Sequence, residues 1–192
     1  MDIDIFIEIF GAVTGLIYVY LEIIQKKAMW VVGGLSAITY IIVFLNSGLI
    51  AAMGLQFYYL GMSVYGWKKW GGLKVDGEIG KPTVSIISGK MFIFSLLISI
   101  MGYFVLSFIL EVYSEDPMPK VDALIAVISM LATWWVTKKY IQNWILWVFA
   151  DGIAVYLYIN QELYATALLY LGYMAAAVAG YVHWRKFPKS LN

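Results

Sequence analysis

WILWVFADGIAVYLYINQELYATALLYLGYMAAAVAGYVHW, residues 144–184, repeats WVVGGLSAITYIIVFLNSGLIAAMGLQFYYLGMSVYGWKKW, residues 30–70, at a constant offset of 114 with no gap. Nine of the 41 aligned positions are identical, against roughly four or five expected by chance in so apolar a composition. Among them are Trp30/Trp144, Asn46/Asn160, Tyr59/Tyr173, Gly66/Gly180 and Trp70/Trp184. Each copy contains two apolar runs of the length that crosses a bilayer, about 20 residues. A duplicated pair of spans is therefore the frame on which the rest of the chain is read.

The composition agrees. Of 192 residues 62% are hydrophobic and 13% charged, where soluble domains have about 45–50% and about 25%. A formal net charge of +1 leaves no electrostatic footprint for nucleic acid. The absence of cysteine excludes disulfides, thiolate metal sites and cysteine nucleophiles, and the single histidine, His183, excludes bis-histidine haem ligation. The opening MDIDIFIEIF is acidic and lacks a basic n-region, so it reads as the start of a span and not as a signal peptide.

Seven segments qualify as spans: Ile5–Ile24, Ala28–Leu45, Leu49–Trp67, Met91–Val112, Asp122–Val136, Ile141–Ile159 and Leu163–Tyr181. Most connections are tight, such as Asn46-Ser47-Gly48; the exceptions are a polar loop from Lys68 to Lys90 and a shorter one from Tyr113 to Val121. With the loops counted alternately, twelve of the thirteen basic residues fall on one side and only Lys120 on the other. The positive-inside rule then places the N-terminus outside and the C-terminus in the cytoplasm.

Spans 2–3 resemble spans 6–7, so span 1 pairs with span 5 and span 4 is unpaired. An odd inserted span returns the second triplet to the orientation of the first. The expected fold is all-α, two parallel three-helix bundles joined by a linker helix. The expected domains are residues 1–70, a cytoplasmic loop 71–90, the linker 91–113 and the second bundle 114–192. Transporters built from parallel repeats hold substrate near the midplane; a duplicated hairpin kept for packing alone is the bland alternative.

Asp151 sits inside the sixth span. A carboxylate at mid-membrane costs roughly 2.5–3.5 kcal/mol on insertion scales, so such residues face a cavity or a partner. Trp147 at i−4 and Trp144 at i−7 share its helical face. An acid beside indoles suits a flat ligand that is cationic or carries an amide. On the third span Gln56, Tyr59 and Ser63 form a second polar face. The repeat aligns Asp151 with Ala37 and Gln56 with Tyr170, so these polar groups are not duplicates. A direct bond of Asp151 to Gln56 or to tyrosines is the competing, purely structural reading.

Aromatic belts are the default reading of membrane tryptophans. Trp70 and Trp184, beside basic residues, read as belt, whereas Trp30 and Trp144 read as belt or inner gate. Trp134 and Trp135 point about 100° apart, so at most one lines a path, and Trp134 is taken as the candidate. His183 reads as interfacial. Gly11, Gly15, Gly33, Gly34, Gly54, Gly61 and Gly66 read as sites of close helix approach. Glu8 and Glu22 lie near the ends of the first span, where carboxylates reach water. GGLKVDGEIGKP in the long loop matches no phosphate-binding fingerprint.

MGLQFYYLGMSVYGWKKW (Met53–Trp70), preceded by AMWVVGGLSAITYIIVF, resembles the N-terminal half of the PnuC vitamin transporters, and NWILWVFADGIAVYLYINQELYATALLYLGY resembles their C-terminal half. The resemblance spans nearly the whole chain, and YGWxxW is its most distinctive part. It implies a SWEET-like 3+1+3 arrangement in the bacterial inner membrane and vitamin uptake by facilitated diffusion. A cytoplasmic kinase acting on the substrate then traps it. Gln56 matches a substrate-holding amide of the family, and Trp147 and Asp151 match the tryptophan and polar residue of its sixth span. EIFGAVTGLIYVYLEI and ATWWVTKKYIQNWILW are more similar to the thiamine branch, PnuT, than to the nicotinamide riboside branch.

The reading is thus a carrier and not an enzyme, without cofactor or metal, for which thiamine is the expected substrate and nicotinamide riboside the alternative. Its expected substrate contacts are Gln56, Tyr59, Trp147, Asp151 and Trp134. Its expected gate residues are Trp30, Trp144, Tyr65 and Trp67. The resemblance leaves homo-oligomerisation open. A retinal protein needs a mid-span lysine, and every lysine here lies at a boundary or in a loop. An intramembrane hydrolase needs an acid dyad, a Ser/His pair or a metal cluster, and Asp151 shows no deep acidic companion in sequence. A non-transport structural membrane protein is the remaining alternative.

Overall fold

A bilayer core offers no water to backbone N–H and C=O groups, so each apolar run satisfies them internally as a helix. The computed structural model describes residues 3–46, 50–71, 84–114, 117–187 and 189–191. Among these, seven α-helices run in order: α1 (Ile3–Ile23), α2 (Met29–Asn46), α3 (Ile50–Gly71), α4 (Gly89–Tyr113), α5 (Pro119–Thr137), α6 (Asn143–Asn160) and α7 (Tyr164–Trp184). The Ser47–Gly48 turn, residues 72–83 with Lys74 and Lys81, and the side chains of Glu8 and Lys189 lie outside the described residues.

The helices bury the opposite of what a water-soluble protein buries. On α4 the buried residues are Ser95, Ser107 and Leu110, while Phe92, Leu97, Met101, Phe104 and Phe108 are exposed. On α7 they are Ala167, Ala177, Gly180 and Trp184. Lipid tails are as apolar as leucine, so bulky apolar side chains face them and small residues let helices approach. By length and composition α4, α5 and α7 can each cross a membrane.

The chain divides into two compact units, Met1–Lys74 and Val75–Asn192. In the first, α1 packs on α2 and α2 on α3; in the second, α4 packs on α5, α5 on α6 and α6 on α7. The two triplets are built alike. The bounds of α6 are those of α2 shifted by the repeat offset at both ends. The turns before them match as well. Gln25 (φ 55°) and its counterpart Lys139 (φ 54°) both take the left-handed conformation.

In the first of these turns Gln25 N–H donates to Glu22 O at 2.9 Å and Lys26 N–H to Leu21 O at 2.8 Å; in the second Lys139 N–H donates to Val136 O at 2.9 Å and Tyr140 N–H to Trp135 O at 3.1 Å. These are paired Schellman caps. They carry the repeat into α1 and α5, where sequence identity has almost vanished. Glu162 (φ 61°) closes α6 in the same way, and its counterpart by offset is Gly48.

The stretch read as polar loop ends in structure. β1 (Val84–Ile86) pairs in parallel with β2 (Lys189–Leu191), Val84 opposite Lys189. Ser85 N–H donates to Lys139 O at 2.9 Å, and Ile141 N–H to Ser85 O at 3.0 Å, so β1 is also tied to the α5–α6 turn. Burial there holds the Lys139 ammonium below the usual lysine range.

Alongside the exposed Lys120–Glu111 ion pair at 3.2 Å, a buried polar contact helps fasten α4 to α5: Trp135 Nε1–H donates to the buried Ser95 Oγ at 3.2 Å. Removing one partner strands the other in an apolar interior at about 1–3 kcal/mol. Ser95→Ala is therefore expected to lower the unfolding temperature in detergent, while uptake by the remaining folded protein is unchanged.

Candidate functional site

Within the second unit, α6 carries Asn143, Trp147 and Asp151 at i, i+4 and i+8, one line along the helix. Asn143 is fully buried; its Nδ2–H donates to Tyr140 O at 2.7 Å, and its Oδ1 has no partner among the described residues. The Trp147 indole N–H is likewise buried without a hydrogen-bond partner. Asp151 is 6% exposed, and among the described residues its carboxylate accepts no hydrogen bond and joins no ion pair. Small neighbours, Ala150 and Ala154, flank it.

The strip thus offers a carbonyl acceptor, an aromatic face with a free N–H, and a carboxylate. Those are the groups that would orient a planar cation bearing polar substituents. Sequence reading missed Asn143 because it stands at the end of the span beside Lys138 and Lys139. Its spacing from Asp151 was the available signal.

Trp144 does not belong to this strip. Its ring meets Trp184 edge-on at 5.4 Å and 89°, and it fills the slot left by Gly180, where a Cβ would stand 2.5 Å from Trp144 Cη2. Trp30 does the same in the first unit, edge-on to Trp70 at 5.6 Å and 90°, with its ring over Gly66. Trp70 and Trp184 are therefore not belt residues, as their lysine and arginine neighbours had suggested; both are buried. The physical reason is the glycine opposite: it opens a slot between helices that an indole pair fills more completely than an interface would.

In the first unit Gln56 and Tyr59 are half-buried on α3, and the Tyr59 ring packs against Tyr58 at 5.6 Å. Ser63 is buried against Gly33 and Gly34. Tyr65 and Trp67 are exposed, and Lys27 Nζ lies 3.7 Å above the Trp67 ring centroid. Gly54 and Gly61, expected at close helix contacts, are exposed, and a Cβ at either would meet no other element within 4 Å.

Glu22 departs most from expectation. Read as reaching water, it is 1% exposed, because the last turn of α1 is drawn into the cap that closes onto α2. In the second unit Trp134 is half-buried, its ring 6.5 Å from Phe94 with Lys138 Nζ at 5.7 Å, whereas Trp135 is the member of the pair that points inward. No cluster of metal-ligating residues occurs among the described residues.

A model of the nicotinamide mononucleotide transporter family matches residues 5–186. The nicotinamide riboside transporter PnuC of Escherichia coli (strain K12) is 26% identical over 201 residues, covering 93% of this chain and 84% of that protein. PnuC of Haemophilus influenzae (strain ATCC 51907 / DSM 11121 / KW20 / Rd) is 22% identical, covering 98% and 83%. The fold is similar to a crystal structure of the vitamin B3 transporter PnuC, with a TM-score of 0.72 at 21% identity over 94% of this chain and 81% of that one. The proteins matched are transporters, not enzymes.

Proposed function

The chain belongs to the nicotinamide mononucleotide transporter family, and on that footing we propose that it carries nicotinamide riboside across the cytoplasmic membrane by facilitated diffusion. The observation that carries this reading is the α6 strip, where a buried carboxylate and an unpartnered indole N–H stand one turn apart. The pyridinium ring would stack on Trp147 with Asp151 as its counter-charge, and ribose or carboxamide groups would bond Asn143 Oδ1 and the indole N–H. Within the first unit, Gln56 and Tyr59 on α3 are proposed as substrate contacts of their own. The thiamine expectation finds no support among the named relatives, which are nicotinamide riboside transporters.

The lopsided basic residues support a cytoplasmic C-terminus, where a kinase acting on the substrate would trap it. Trp30 and Trp144 are held by their glycine slots, so the gate proposal narrows to the exposed rings of Tyr65 and Trp67. Facilitated diffusion is inferred from the family resemblance.

Uptake into proteoliposomes tests all of this. Saturable entry of nicotinamide riboside that stops at equal concentrations is expected. Accumulation against a gradient would overturn facilitated diffusion, faster entry of thiamine would overturn the substrate, and entry of neither would favour a structural membrane protein.

A further inference from the structure

The offset that aligns Trp147 with Gly33 aligns Ala132 with Tyr18. In the first unit the ring comes from the first helix: Tyr18 Cε2 and Cδ2 lie 3.0 and 3.3 Å from where a Cβ on Gly33 would stand, with Ser63 Oγ at 3.3 Å. In the second unit the first helix of the triplet presents the fully buried Ala132, and the ring comes from the second helix as Trp147. Large and small side chains have changed places between the two helices.

One turn beyond each ring the same chemistry follows. Glu22 stands at i+4 from Tyr18, as Asp151 does from Trp147, and both carboxylates are buried. The Tyr18 hydroxyl lies within electrostatic reach of Glu22 on its own helix and of Tyr58 and Tyr59 on α3. Its ring meets Trp30 edge-on at 6.4 Å, and the Trp30 indole N–H is buried without a hydrogen-bond partner, as are both amide atoms of Gln25 in the adjoining turn.

Packing does not demand either acid. The counterpart of Glu22 is Val136, 0% exposed, and the counterpart of Asp151 is Ala37, 2% exposed. Each unit thus buries a carboxylate where its twin closes the same position with an aliphatic side chain, although removing a charge from water is costly.

We propose that Tyr18 and Glu22 form a second station for a cationic heteroaromatic ring, so that each unit holds its own aromatic–carboxylate pair. This deepens the transport reading and rests on it. The probes are nicotinamide riboside and its uncharged 1,4-dihydropyridine analogue, followed into proteoliposomes with the parent protein, Glu22→Gln and, as the positive control, Asp151→Asn. Glu22→Gln is expected to lower kcat/KM for the cation by about tenfold or more while uptake of the neutral analogue stays within about twofold. Glu22→Val, copying the twin, gives the same discrimination should the glutamine variant fold poorly. Equal losses for both probes, or no loss for either, would overturn the second station. Discrimination by Asp151→Asn without discrimination by Glu22→Gln would overturn it while sparing the transport reading. Failure of the parent to carry the cation would overturn both.

Discussion

Asp151→Asn is expected to reduce uptake of nicotinamide riboside about tenfold to a hundredfold without lowering the unfolding temperature. The side chain keeps its size, so the loss isolates the charge. Interactions with a charged group are worth about 1.5–3 kcal/mol, and each 1.4 kcal/mol is about tenfold. Stability moves the other way or stays put, because Asp151 has no hydrogen bond or ion pair among the described residues to lose. Its twin Ala37 shows that the helix packs well without an acid there. Uptake kinetics together with thermal unfolding in detergent make the check. Intact uptake with a fall in unfolding temperature would make Asp151 a structural residue.

The second large effect is one of volume. A methyl group at Gly180 would stand 2.5 Å from the Trp144 ring, and one at Gly66 within 2.5 Å of Trp30 Cδ2. Both rings are buried, so they cannot swing aside without displacing Trp184 or Trp70. Overpacking of this kind costs about 1–3 kcal/mol and occasionally more. Gly180→Ala and Gly66→Ala are each expected to lower the unfolding temperature by several degrees or to abolish the folded yield. Gly54→Ala and Gly61→Ala are the internal controls. Both positions are helical and open, and a helical glycine is about 0.5–1 kcal/mol worse than alanine. These two variants are expected to be neutral or slightly stabilising.

The spans were legible because a bilayer imposes length and apolarity on each one separately. The predicted Ala28–Leu45 and the helix Met29–Asn46 differ by one residue at either end. The roles of side chains at span ends were not legible in the same way. Trp70 and Trp184 stand beside basic residues in sequence, which suggests an interface, but a glycine on the same helix one turn earlier opens a slot for the facing indole and draws the pair inside. Glu22 is numbered at a helix end, yet the left-handed turn at Gln25 folds that end into the packing.

β1 is three residues long, too short for any period to declare it, and its partner lies on the far side of four helices. That Asp151 would be buried was readable, because an acid in an apolar run is rare. Nothing in one carboxylate and one indole distinguishes one cationic vitamin from another.

The pairing of β1 with β2 also bears on the order of events at the ribosome. The first unit has all three of its helices once residue 71 has been made. The strand at residues 84–86 must wait until α4, α5, α6 and α7 have been synthesised and inserted before residues 189–191 arrive to zip against it. Contacts so distant along a chain form slowly. The nascent protein therefore passes through an interval in which one half is built and the strand of the other stands with an open edge, the stage at which quality-control proteases would find it.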